Sequence, residues 1–102
     1  MIHVVATIQV QPGRREEFLA IFRTILSDVR AEQGCVEYGP AVDVDADLAA
    51  QPGIRPDVVT VLEKWESLEA LRAHLAAPHM VQYKEKVRDL VENVVLHILE
   101  PA

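Results

Sequence analysis

Residues 2–10, IHVVATIQV, alternate along the chain: Ile2, Val4, Ala6, Ile8 and Val10 fall on one side, His3, Val5, Thr7 and Gln9 on the other. A period of two in a short, β-branched run predicts a strand with its even face dry. Pro12-Gly13 ends it. Residues 14–32 change period: Phe18, Phe22, Ile25 and Val29 form a helical stripe flanked by Leu19 and Leu26, and Gly34 stands where a helix-ending glycine belongs. Residues 35–44 predict a second strand interrupted by Gly39-Pro40. A proline donates no ladder hydrogen bond, so that strand belongs at an edge or carries a bulge. Residues 45–57, with two prolines, a glycine and three aspartates, predict a long loop of the kind that often carries function.

Residues 58–65, VVTVLEKW, predict a third strand. Ser67 is placed to cap the helix that follows, with Leu68, Leu71 and Leu75 as its apolar stripe. Pro78 stops that helix and can begin the next one. Met80, Tyr83, Val87 and Leu90 recur at helical spacing through residues 79–93, and 94–99, VVLHIL, closes the chain as a strand. The order is β-α-β-β-α(α)-β. Two such halves make an α+β, ferredoxin-like fold, an antiparallel four-stranded sheet with helices on one face. The other face needs a cover, and a second copy of the chain is the natural one, so a homodimer packed sheet against sheet is expected.

Composition narrows the functions open to this fold. The 102 residues fit one domain, 1–102, and 50% hydrophobic with 25% charged residues is globular composition. A net charge of −6 without a basic cluster makes nucleic acid and anionic membranes poor partners. Cys35 is alone and has no disulfide mate or partners for a structural zinc site. The first residues lack a basic segment followed by an unbroken apolar run, so a cytoplasmic protein is expected.

The motifs then resemble a known family. Glu32-Gln33-Gly34-Cys35, Tyr38-Gly39-Pro40, Val42-Asp43, the stretch LEKWESLEALRAHLAAPHM and the ending LHILEP look like the antibiotic biosynthesis monooxygenase (ABM) family, closest to its small bacterial quinol monooxygenases. That likeness implies a dimeric α+β barrel of ferredoxin-like subunits. It also implies oxygenation of a small phenolic or quinol substrate by O2 with no metal, flavin or haem. Haem-degrading relatives carry an asparagine on the first strand; Thr7 stands roughly there in this chain, which argues against that activity.

Cofactor-free oxygenation needs a base, because triplet oxygen reacts with an electron-rich anion rather than with neutral closed-shell carbon. The anion and oxygen must meet in a dry pocket. Histidine suits the task. His74 borders an apolar stripe and His79 follows Pro78 at a helix start, where the helix end favours neutral imidazole. Each is a candidate catalytic base, and each has a plainer reading, as a boundary residue and a solvent-facing helix start. Trp65 is expected to serve as core and as a flat wall for an aromatic substrate. Glu63, on the same strand face, is a candidate to orient a histidine or contact substrate. Tyr38, Tyr83 and Met80 complete the expected substrate-binding set. His3 and His97 are expected as a polar pair across two neighbouring strands, and two histidines make a weak metal signal. The alternatives to a monooxygenase are an isomerase or autoinducer-2-type signal-processing enzyme, with Arg55 or Arg72 supplying pocket charge, or a non-catalytic quinone-binding dimer.

Overall fold

A computed structural model describes residues 1–102. The strands are β1 (Ile2–Val10), β2 (Cys35–Ala41), β3 (Val58–Trp65) and β4 (Val91–Leu99), and the helices are α1 (Arg15–Arg23), α2 (Leu26–Arg30), α3 (Leu68–Ala76) and α4 (Pro78–Val87). All strand pairs are antiparallel, in the order β2-β3-β1-β4. This is the ferredoxin-like α+β arrangement that the hydrophobic periods predict. No helix is long and apolar enough to cross a membrane.

The alternation in β1 decides which way the sheet faces. Its even residues are buried and its odd ones only partly so. Ala6 pairs with Val61, and Val4 with Glu63, so the odd residues of β3 share that inner face. Phe18, Phe22 and Val29 from α1 and α2, with Leu71 and Val87 from α3 and α4, close over it. The aromatic rings interlock: Phe22 stacks on Tyr38 at 5.8 Å and meets Tyr83 edge-on at 5.7 Å. Such pairs add about 0.5–1.5 kcal/mol each beyond burial.

Three boundaries differ from the periodic reading. The stripe through 14–32 is continuous, yet the helix breaks at Thr24 and Ile25. Their amides bond three residues back, to Ile21 and Phe22, and the Thr24 hydroxyl donates to the Ile21 carbonyl at 2.6 Å. This local competition tightens the turn and divides the helix. The last helix ends at Val87 rather than near Asn93, because Val91, Asn93, Val94 and Val95 are taken by the β1 ladder. Strand pairing overrides a helical period there. β2 stops at Ala41 and combines both expected devices, an edge position and a bulge between Cys35 and Glu37.

Gly34 has two reasons to be glycine. Its φ is +85°, and an added Cβ would lie 2.6 Å from the Cβ of Ala70. The close approach docks the segment after α2 onto α3, and the Glu66 amide donates to the Gly34 carbonyl at 2.9 Å. Ser67 caps α3 as expected, accepting from the Ala70 amide at 3.1 Å. His3 and His97 share the outer face but are not opposite one another: His3 pairs with Leu99, and His97 with Val5.

Candidate active site

Between the sheet's inner face and the helices lies a cavity of about 410 Å³, within the range typical of small-molecule sites. Most of its lining is apolar, and it extends along β4, whose inward residues Val94 and Leu96 remain half-exposed. The helices cover β1 and β3 but leave β4 largely open. Four lining residues depart from the apolar rule: Glu63 and His74, both buried, and Lys84 and Arg88, both exposed.

His74 is 2% exposed, on the face of α3 that meets the sheet. Its Nδ1 lies 2.9 Å from Glu32 Oε2, and His79 Nε2 lies 2.8 Å from the same oxygen. An ionised carboxylate only accepts, so both nitrogens facing it act as N–H donors. Neutral His74 therefore keeps its lone pair on Nε2. Burial pushes the His74 imidazole below its ordinary value, with Glu32 pulling the other way. Its ring is held between Trp65, at 4.6 Å, and Tyr38, at 5.2 Å. Of the two histidines only His74 lines the cavity; His79 stands behind Glu32, at the start of α4.

Glu63 does not reach a histidine. Two residues apart on one strand face, it and Trp65 are neighbours, and the indole N–H donates to Glu63 Oε1 at 2.9 Å. The carboxyl has no cation partner. Burial pushes it up to about 7, against the indole N–H, with the Glu32 charge adding to the rise. Trp65 is fully buried behind His74 and does not line the cavity. Tyr38, Tyr83 and Met80 do line it, and burial pushes both phenols well above their ordinary range.

Glu32 belongs to the Glu32-Gln33-Gly34-Cys35 motif, but nothing in the sequence gives it a role at the site. It lies 42 residues from His74 and 47 from His79, and the close approach at Gly34 holds the neighbouring backbone against α3. Nor does the long loop contribute: none of residues 42–57 lines the cavity. Arg55 is tied inside that loop, its guanidinium and amide all bonding Asp43 at 2.9 Å, which holds Asp43 down to about 2. Arg72 does not line the cavity either; the cations that do are Lys84 and Arg88. No cluster of three or more His, Cys, Asp or Glu side chains is arranged to hold a metal ion.

Known proteins share this architecture. A sequence model described as antibiotic biosynthesis monooxygenase matches residues 1–86. The chain is 39% identical to the probable quinol monooxygenase YgiN of Escherichia coli strain K12, across 99% of this chain and 98% of that protein. Its fold matches the crystal structure of PA3566 from Pseudomonas aeruginosa with a TM-score of 0.82 at 24% identity, covering 99% of this chain and 93% of that one. Rv0793 from Mycobacterium tuberculosis matches with a TM-score of 0.79 at 24% identity, covering 99% and 94%. These two likenesses carry the fold, while the first two matches support a monooxygenase function. The chain belongs to the antibiotic biosynthesis monooxygenase family.

Proposed function

We propose that this protein is a cofactor-independent monooxygenase that oxidises a small quinol or related dihydroxy-aromatic with O2. The observation that carries the reading is the Glu32–His74 pair at the wall of a mostly apolar cavity. Nε2 of His74 takes the proton of a substrate hydroxyl, and Glu32 steadies the imidazolium that forms. The quinolate passes one electron to O2, and the two radicals join at a ring carbon. His74 returns the proton to give a hydroperoxide. Loss of water across C–H and O–OH leaves a new carbonyl, which tautomerises to a hydroxyquinone. One oxygen atom stays in the product and one leaves as water; the quinol supplies every electron, so no flavin, haem or metal is required. Tyr38, Tyr83 and Met80 line the aromatic slot, Glu63 contacts a substrate oxygen, and Trp65 backs His74. His79 acts through Glu32, as a positioning residue.

The outer face of the sheet exposes Leu62, Val95 and Leu99 by 41–50%. We assign it to a second copy of the chain, forming a sheet-to-sheet homodimer, which sedimentation equilibrium would read directly. The test of function is incubation of chelator-treated protein with a naphthohydroquinone under ¹⁸O2. One labelled oxygen per product molecule, lost in His74→Ala, is the expected result. Turnover that proceeds without oxygen would move the assignment to an isomerase, and tight binding of unchanged quinone to a non-catalytic binder.

A further inference from the structure

The four departures from the apolar lining divide by depth. Glu63 and His74 are buried, at 7% and 2% exposure, whereas Lys84 on α4 and Arg88 just past its end are exposed, four residues and about one turn apart. In a chain of net charge −6, both charged residues at the open side of the cavity are cations. Basic residues in a last helical turn commonly answer the helix dipole. Lys86 meets that need equally well, yet it is Lys84 and Arg88 that border the cavity. Arg88 is already engaged, with Glu85 at 2.8 Å and Asp89 at 3.9 Å, while Lys84 has no acidic partner within 4.0 Å. Its charge is close enough to disfavour protonation of His74.

We infer that Lys84, assisted by Arg88, forms an anion subsite at the cavity mouth, so that the preferred substrate is a hydroxylated aromatic bearing a carboxylate. The ring fills the apolar slot with its hydroxyl toward His74, and the carboxylate stays at the rim, where little desolvation is needed. The low-dielectric wall beside Lys84 makes the pairing stronger than an open surface ion pair.

This inference rests on the aromatic-cavity reading, and binding separates the two. Calorimetric titration with 6-hydroxy-2-naphthoate, whose hydroxyl and carboxylate lie at opposite ends of the ring system, and with 2-naphthol requires no oxygen chemistry. The carboxylate is expected to bind about five- to tenfold more tightly in low salt. That ratio should fall to near one in Lys84→Met and stay as in the parent in Lys86→Met. Equal affinity of the two ligands for the parent protein, or an unchanged ratio in Lys84→Met, overturns the subsite while leaving the aromatic cavity intact. Binding of neither ligand overturns both.

Discussion

Two regions of this molecule each shield a carboxylate from solvent, Glu63 almost fully and Glu32 in part, and they furnish it with different partners. At the corner where α2 approaches α3 and α4, Glu32 accepts from two imidazoles through one oxygen. On β3, Glu63 meets no cation and only one indole N–H. The second carboxyl is accordingly pushed up to about 7. The two carboxylates differ in what they accept: Glu32 takes two imidazole donors and Glu63 a single indole. The Glu32 corner can therefore hold a base in register, whereas Glu63 can present a protonated oxygen to a substrate near neutral pH.

Removing the base should have the largest effect. His74→Ala should lower kcat for quinol oxidation by about 10²–10⁴-fold, the usual contribution of a positioned general base. Glu32→Gln should lower it less, by about 10–100-fold, because it misorients the ring rather than deleting it. His79→Ala should cost less again, since that ring does not line the cavity. Steady-state oxygen consumption ranks the three. Should His79→Ala prove the most damaging, the assignment of His74 as base is wrong.

Gly34→Ala attacks the same corner through the backbone. The substitution must hold φ near +85° and relieve a 2.6 Å overlap with the Ala70 Cβ. A loss of about 2–4 kcal/mol in denaturant unfolding is expected. Activity should fall in the still-folded variant, as Glu32 is drawn from the histidines while Glu63 keeps its place. A variant with the parent's unfolding midpoint would show that the close approach is soft.

Glu63→Gln sharpens the other half. The folded value, about 7, lies above the ordinary 4.5. The folded state thus holds the proton longer than the unfolded chain does. Its contribution to stability is complete below pH 4.5 and is lost as pH rises through about 7. Glutamine keeps an acceptor for the indole and cannot ionise, so the variant should gain on the parent by about 2–3 kcal/mol between pH 4.5 and 8. His74, lowered by burial, contributes the opposite slope, but it is present in both proteins and cancels. Parallel stability curves for the two proteins would mean that burial does not raise Glu63 above its ordinary value.

The two carboxylates differ as well in how far the sequence foretells them. Alternation in residues 2–10, the Ser67 cap and Pro78 at a helix start are local, and each appears where its pattern places it. The fold follows from such signals because strand and helix periods are written residue by residue. The site does not. His74 is visible as a polar residue beside a stripe, but Glu32 shows only as part of a family-like motif, without its role, since its partners lie on another helix pair. The break at Thr24 is hidden for a related reason: an apolar stripe continues unbroken across it, while the break itself lies in backbone and hydroxyl hydrogen bonds that the stripe does not encode. Lys84 and Arg88 look like solvated helix charges until the cavity beneath them is known.

The smallest expected effect concerns the one hydrogen bond that moderates Glu63. The Trp65 indole N–H, at 2.9 Å, favours the ionised carboxyl and so opposes the rise that burial causes. Trp65→Phe removes that donor and retains an aromatic ring beside His74. A hydrogen bond to a charged acceptor contributes about 1.5 kcal/mol, which corresponds to about one pH unit. The pH at which the parent loses its Glu63-dependent stability should therefore move upward by about that amount in Trp65→Phe. The lost indole volume lowers stability at every pH, and so changes the height of the curve rather than the position of its fall. Thermal melts between pH 4 and 9, compared with those of Glu63→Gln and of the double variant, isolate the displacement. In the double variant the fall should be absent altogether; a fall that persists there belongs to another group, and the indole has no hold on this carboxyl.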